Sequence, residues 1–532
     1  MAETLQQLLR ERAGQDSVAI KHGDRSQTWA EHVAEASAQA AALIELAEPG
    51  RSLHVGTLLG NTPEMLTAMA AAALGGYVLC GINDTRRGAA LASDIAKVEC
   101  QILLVDDAHR DLLADLELPG VTVIDVGDAS WPHRELTPQR EVGPDDTFMM
   151  IFTSGTSGAP KAVRVPHAIV LFSAGALVTR YDLTAEDTCY LAMPLFHSNA
   201  VYAGWGVALA AGAAMAPAAF SASGFLPDIR RYGATYMNYV GKPLAYILAT
   251  PESTDDRDNP LRVAFGNEAA DRDIEEFSRR FDCRVWDGFG STELAIIITR
   301  SEDTPPGSVG RGFPGVAIYD PVTRTECEVA RFDADGALLN AEAATGELVN
   351  TGGSGMFRGY HNDPDATDER LRDGIYWSGD LAYRDADGWI YLAGRTADWM
   401  RVDGENITAA PIERILLRLP AISRVAVYPV PDEFVGDAVM AAIVLRDGTE
   451  LTPEDFAAFL AAQPDLSPKA WPRHVWLAAD LPSTATNKIL KRELVARGTD
   501  VDEGVLWRRD GKAYRRAEQG RNSGEPAGVL GA

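Results

Sequence analysis

Cysteine is scarce: Cys80, Cys100, Cys189, Cys283 and Cys327 are scattered through 532 residues, and no CxxC pair occurs. That spacing argues against a disulfide framework or a zinc site and fits a reducing, cytoplasmic compartment. Positive charge is also short. Lys and Arg total 49 against 76 Asp and Glu, a formal net charge of -27, so the basic footprint of a nucleic-acid binder is missing. An anionic substrate must then be met by local cations, because the global field repels it. The start of the sequence lacks a basic stretch followed by an apolar run, and no signal peptide is expected. Residues 190–227 hold no Asp, Glu, Lys or Arg, yet Pro194, His197, Asn199 and Pro217 interrupt them. A buried helix or pocket wall is expected there, not a transmembrane segment, with peripheral contact at the inner membrane face left open. HExxH and G-x-S-x-G are absent, so zinc-protease and esterase chemistry have no support. Oligomeric state is not legible.

What is present centres on Phe152 to Lys161, FTSGTSGAPK. A strand is expected before it (Thr147 to Ile151) and another after it (Ala162 to Pro166). Glycines let backbone N–H groups and hydroxyls close around an oxyanion, and a lysine adds a point charge suited to phosphate. The motif is not a Walker A loop, because Pro160 precedes the lysine and Ala162 follows it. Gly310 to Gly315 matches G-x-G-x-x-G by letter, but Pro314 and the lack of a leading strand argue against nucleotide binding there.

The length exceeds what one core normally supports, so at least two domains are expected. Strands and helices alternate up to about residue 290, predicting an α/β class with parallel sheets. Thr28 starts a helix to about Leu46, and Thr62 caps another with Pro63 at its first position. Residues 305–400 read as β-rich, with a hairpin turn at Asp385 to Gly388. From about 398 the texture becomes that of a small α+β domain, and the tail from Asp510 reads as loose. In open α/β sheets ligands gather at the carboxyl ends of strands, so several loops can converge on one site.

Individual residues each allow two readings. Glu293, in Gly290-Ser291-Thr292-Glu293, can ligate Mg²⁺ on a nucleotide or open the next helix. Thr292 can donate to a phosphate. Asp380, after a tight turn in Trp377-Ser378-Gly379-Asp380, can accept from ribose hydroxyls or sit solvated. Arg395 can hold ribose or phosphate, or make a surface salt bridge. Lys488 alone reads as a solvated lysine.

The order of these segments carries more than any one. TSGTSGAPK, GFGSTE, SGD, GRTADWMRVDGENI and TATNKILK, in that sequence, resemble the adenylate-forming superfamily of acyl-CoA synthetases, luciferases and peptide-synthetase adenylation domains. GRTADWMRVDGEN and LCGINDTRRGAAL are most similar to the fatty-acid and steroid-side-chain CoA ligases of the fatty-acid-transport type. The resemblance implies a large multi-sheet domain over residues 1–394, a hinge at 395–397, a mobile α+β lid over 398–510 and a loose tail at 511–532. It implies an ATP-dependent ligase that joins an apolar carboxylic acid to coenzyme A through an acyl-adenylate, with Mg²⁺. Alternatives are a carrier-protein-loading acyl-AMP ligase, an oxygenating luciferase and a non-enzymatic acyl-binding or uptake protein.

The resemblance also assigns residues. Thr153, Ser154, Gly155, Thr156, Ser157, Gly158 and Lys161 match the triphosphate loop, Thr292 the α-phosphate contact and Glu293 the metal ligand. Asn267, Glu268 and Ala269, with Asp287, Gly288, Phe289 and Gly290, match segments along adenine. Asp380 and Arg395 match the ribose contacts. Phe196, His197, Ser198 and Tyr239 match the region beside the acyl pocket, and Gly404, Glu405 and Asn406 the loop that meets CoA. Lys488 matches the lysine between carboxylate and α-phosphate. Two positions depart from the pattern: Ala397 at the hinge, and Asn487 where glycine is common.

Overall fold

The computed structural model describes residues 2–517 except 154–159, 242, 270, 334–335, 337, 396–398, 403–404, 433–435, 464–465, 484–488 and 502, with backbone only at Arg395, Trp399, Arg401, Glu405, Asn406 and Gly436. Four sheets organise them.

Two sheets are largely parallel. The first runs in the order Arg284–Asp287, Val263–Asn267, Tyr236–Val240, Thr188–Leu191, Ala214–Pro217, Val18–His22 and Arg25–Thr28, antiparallel only at its last pair. The second runs Thr122–Asp125, Ile102–Val105, His54–Leu58, Val78–Gly81, Thr147–Thr153 and Lys161–Pro166, again antiparallel only at the end. Strands such as Ile102–Val105 are buried along their whole length, as helix-covered parallel strands must be. Helix Pro63–Gly75 is buried from Met65 onward, because its Ala- and Leu-rich sequence is apolar on every face. One apolar core joins both sheets.

The capping expectations divide. Thr28 caps helix Trp29–Glu45 with a full capping box through Glu31. Thr62 stands at the cap position before Pro63 but makes no capping hydrogen bond, and its hydroxyl is buried without a partner among the described residues.

The third sheet is antiparallel and holds residues 298–395; the Asp385 to Gly388 turn joins Ile375–Arg384 to Trp389–Arg395 as expected. Gly310–Gly312 is one of its strands, so the apparent dinucleotide fingerprint is β-structure. The fourth sheet, with its own core around Met400, Val427 and Trp507, forms a separate C-terminal domain. Helix Ala409–Leu416 of that domain leans on the third sheet, where Arg414 donates to the Gly307 carbonyl at 3.0 Å. The looseness expected from Asp510 does not hold for Ala513–Arg516. Ala513–Arg516 pairs with Val505–Asp510, and buried Tyr514 donates to the Pro472 carbonyl at 2.7 Å. Tyr514 and Trp507, one from each strand, anchor the hairpin on Phe456.

Residues 190–227 combine strand segments, the helical segments Ala200–Trp205 and Gly206–Ala211, and connecting loops, and no described helix is long and apolar enough to cross a membrane. Residues Ala200–Trp205 form a π-helical segment, a form enriched at functional sites.

A buried ion pair stiffens the outer edge of the first sheet. Arg280 Nε lies 2.6 Å from Asp256 Oδ2, both side chains almost fully enclosed. The guanidinium also donates to the carbonyls of Ile247, Thr250 and Pro251. Removing one partner leaves an uncompensated buried charge. Arg280→Ala is therefore expected to cost about 3–5 kcal/mol, read as a lower urea midpoint for the large domain.

Candidate active site

The first sheet sets one wall of the site. Its register pairs Val240 with Asn267 and Gly266 with Asp287, so three neighbouring strands end level and deliver their loops to one edge. Gly266 permits this closeness, since a Cβ there would overlap the Tyr239 carbonyl and ring.

At that edge the polar groups form a ladder. Asn238 donates to Asn199 at 2.7 Å, Asn199 to Asn267 at 3.0 Å, and Asn267 to the Gly288 carbonyl at 2.6 Å. The ladder ties the loop after Pro194-Leu195-Phe196-His197-Ser198 to the Asn267 and Asp287 loops. Glu268 has a positive φ of 65°, which turns the chain so that the Ala269 N–H donates to Asp287 at 2.9 Å. Tyr239 is fully buried, and its hydroxyl lies 3.1 Å from the Trp286 carbonyl and 3.2 Å from Asp287. Its polar end thus belongs with the Asp287 group. Phe289 packs partly into the core, while Gly290 is exposed.

Burial pushes the Asp287 carboxyl up to about 7, against the pull of the Ala269 N–H and Arg300. The folded protein then binds a proton that the unfolded chain has released. This carboxyl's contribution to stability is full below about pH 4 and falls as pH rises through about 7. Asp287→Asn is expected to flatten that part of the pH dependence of unfolding, measured as urea midpoints across the range.

The loop from the second sheet supplies the other wall. Phe152 pairs with Ala162 and Thr153 with Lys161, so the ends of the phosphate-loop motif lie on two paired antiparallel strands. Ser154, Gly155, Thr156, Ser157 and Gly158 lie outside the described residues. The Lys161 side chain is buried; its ammonium is 3.4 Å from Glu369 and 5.3 Å from the Tyr360 ring centroid.

Glu293 stands between these walls. No helix follows it, so the helix-opening reading is replaced by a buried turn carboxylate. The Tyr360 hydroxyl donates to Glu293 Oε1 at 2.8 Å. The Arg370 guanidinium shares Tyr360 and lies close to both Glu293 and Tyr376. It also donates to the Trp377 carbonyl at 3.3 Å. Beside Glu293, the Thr292 hydroxyl donates to Ser198 at 2.9 Å, and Tyr202 donates to the Thr292 carbonyl at 2.8 Å. His197 is deeply enclosed against the Phe196 ring, 4.4 Å between centroids, and burial lowers it to about 4, leaving it neutral near pH 7.

Asp380 is placed differently from the tight-turn expectation. It lies within strand Ile375–Arg384, directly opposite Arg395 on the neighbouring strand. A register shift follows at Leu381, and Gly379 takes a positive φ of 76°. The Gly379 N–H donates to buried Glu347 at 2.6 Å. The hairpin therefore aligns the two predicted ribose contacts across one ladder. Lys488 and Gly404 lie outside the described residues, although Ser483 and Ile489 bridge on either side of the first. Glu405 and Asn406 open strand Glu405–Thr408, with backbone alone described.

Four participants escaped the sequence reading: Asn199, Asn238, Tyr360 and Arg370. Arg370 ends the charged run Asp368-Glu369-Arg370 on helix Pro364–Arg370, which reads as a solvated face. Only the fold turns its last residue inward.

A model of the AMP-binding enzyme family matches residues 9–361, and one of the AMP-binding enzyme C-terminal domain matches 411–488. The chain belongs to the AMP-binding enzyme family. Within it, the chain is 50% identical over 492 residues to the medium/long-chain-fatty-acid–CoA ligase FadD17 of Mycobacterium tuberculosis, covering 92% of this chain and 95% of that one. It is 44% identical over 514 residues to the steroid-22-oyl-CoA synthetase of Rhodococcus jostii, covering 94% and 92%. The fold is similar to ATP-bound MatB from Rhodopseudomonas palustris, with a TM-score of 0.81 at 24% identity over 93% of this chain and 99% of that one.

Proposed function

We propose that this AMP-binding enzyme is an acid–thiol ligase that converts an apolar carboxylic acid, ATP and coenzyme A into acyl-CoA, AMP and pyrophosphate. The observation that carries this reading is half identity, over nearly the whole chain, to a medium/long-chain-fatty-acid–CoA ligase. The 44% identity to a steroid-22-oyl-CoA synthetase extends the acid class to steroid side chains.

In this reading the acid's carboxylate attacks the α-phosphorus of ATP, pyrophosphate leaves, and the CoA thiolate then attacks the acyl carbon and releases AMP. Thr153 to Lys161 cradle the triphosphate, Thr292 holds the α-phosphate, and Asp380 and Arg395 hold the ribose. The Asn267–Ala269 and Asp287–Gly290 loops line adenine, and Lys488 bridges carboxylate and phosphate. Gly404, Glu405 and Asn406 meet CoA. Phe196, His197, Ser198 and Tyr239 stand toward the acyl group. A neutral His197 suits an uncharged tail.

Glu293 fits a Mg²⁺ ion. It is a buried hard-oxygen donor with one oxygen taken by Tyr360 and a second left for a cation. The ion neutralises charge on the phosphates; Tyr360 and Arg370 keep the carboxylate oriented. We assign the swing between half-reactions to a hinge at 395–397 and a lid beyond it. We further place the enzyme in the cytoplasm.

The test is CoA-dependent AMP release with ATP, Mg²⁺ and short, medium and long fatty acids beside steroid side-chain acids. Release with one group fixes both the ligase reading and the acid. Pyrophosphate release without CoA dependence points to a carrier-protein acceptor, and silence across the panel rejects the proposal.

A further inference from the structure

A second polar cluster lies away from the nucleotide loops, behind the phosphate-loop hairpin. His54 is the first residue of strand His54–Leu58. Glu99 forms the turn between helix Gly88–Lys97 and strand Ile102–Val105, at a positive φ of 51°. His361 follows Tyr360, and its backbone N–H donates to the Ala162 carbonyl at 2.8 Å. Both histidines are buried, while Glu99 is exposed. One ligand atom from each residue lies within 4.8 Å of the other two.

A buried histidine is usually an ordinary core residue, and a carboxylate beside it a simple ion pair. Three details separate this cluster from that case. His54 Nδ1 is 2.7 Å from the Val98 carbonyl, an acceptor only, so Nδ1 carries the proton and Nε2 keeps its lone pair. A ring N–H on a backbone carbonyl is also the usual outer support of a metal-bound histidine. The two rings meet edge to face, with centroids 5.4 Å apart at 73°, instead of stacking. His361 Nε2 and Glu99 Oε2 are 3.1 Å apart. Metal bonds of about 2.0–2.2 Å at tetrahedral angles separate ligand atoms by roughly 3.3–3.6 Å. That pair is within a few tenths of an ångström of ligand spacing, and the third atom needs to close by roughly 1.2–1.5 Å at most.

We propose that His54, Glu99 and His361 form a site for a borderline divalent transition cation of the zinc type. Two imidazoles and one carboxylate suit Zn²⁺ or Co²⁺ and disfavour Mg²⁺, which prefers oxygen donors. The exposed side of Glu99 leaves a fourth position for water. Arg51, Arg140 and Arg164 lie near the histidines and oppose a cation, so roughly micromolar binding is expected, not the tighter grip of a closed structural site. The three ligands come from sequence-distant segments. An ion would therefore pin the His361 segment, and Tyr360 beside it, to the amino edge of the second sheet.

The experiment uses the full chain stripped with a chelator. Zn²⁺ is titrated in competition with a chromogenic chelator, and Co²⁺ is added separately to read the intensity of its visible d–d bands. One bound Zn²⁺ is expected, with intense low-coordination Co²⁺ bands and a raised unfolding midpoint, undisturbed by excess Mg²⁺. Glu293→Gln should keep this site. His361→Gln and Glu99→Gln should weaken it at least tenfold. Glu99 is exposed, so its variant carries the test if a histidine variant fails to fold. No zinc bound by the unaltered protein, or equal binding by Glu99→Gln, overturns the proposal.

Discussion

Lys488→Ala is expected to slow acyl-adenylate formation by about two orders of magnitude or more, while leaving thioester formation from supplied acyl-adenylate intact. The asymmetry follows from charge. In the first half-reaction two anions, a carboxylate and a triphosphate, must meet at one phosphorus centre. A protein with a formal net charge of -27 opposes that meeting at long range. A cation held at the contact offsets the repulsion where it is largest and stabilises charge as it develops. In the second half-reaction the attacking group is a thiolate, and the phosphate departs as AMP. The position proposed for the lysine, between carboxylate and α-phosphate, then has no further use. Pyrophosphate release measures the first step, and single-turnover conversion of synthetic acyl-adenylate measures the second. Equal loss in both would remove Lys488 from the assigned role.

Glu293→Gln is expected to reduce the first half-reaction by roughly a hundredfold and to raise the Mg²⁺ concentration needed for half-maximal rate. The substitution keeps the side chain's volume and an acceptor for the Tyr360 hydroxyl, which now bonds Glu293 at 2.8 Å. It removes the charge. Two consequences follow from the surroundings. A hard cation loses its protein carboxylate, and the guanidinium of Arg370 loses a carboxylate that offsets its charge. The unfolding midpoint separates them: a fall in stability reports the Arg370 effect, while a changed Mg²⁺ dependence reports the metal. An unaltered Mg²⁺ dependence would make Glu293 a structural partner of Tyr360 and Arg370 only.

The sequence was most legible where one periodicity governs many residues. Helix Trp29–Glu45 and the strands Thr147–Thr153 and Lys161–Pro166 follow from apolar patterning, because burial of one stripe or of a whole strand leaves few alternatives. It was least legible where a single polar residue has two local solutions. Thr62 has the right type for a cap, but its hydroxyl is turned into the interior. Asp380 follows a Ser-Gly pair that reads as a turn, yet the ladder to Trp389–Arg395 keeps the chain extended through it. Local propensity for a turn is a weak force against a paired strand, since breaking the ladder leaves backbone groups without partners.

By itself the sequence determined the segments: the glycine-rich loop between two strands, the Gly290 to Glu293 stretch, the segments holding Asp380 and Arg395, and the order in which they occur. It also determined the charge balance that makes local cations necessary. Only the tertiary structure decided which residues come together. It paired Asp380 with Arg395, set Tyr360 on Glu293, turned Arg370 inward from a charged run, and strung Asn238, Asn199 and Asn267 into one ladder. The physical reason is the reach of the interactions. Apolar periodicity and turn chemistry act over a few neighbouring residues and are written along the chain. A hydrogen bond between residues 67 positions apart, as between Glu293 and Tyr360, exists only after two sheets have packed and excluded water from both.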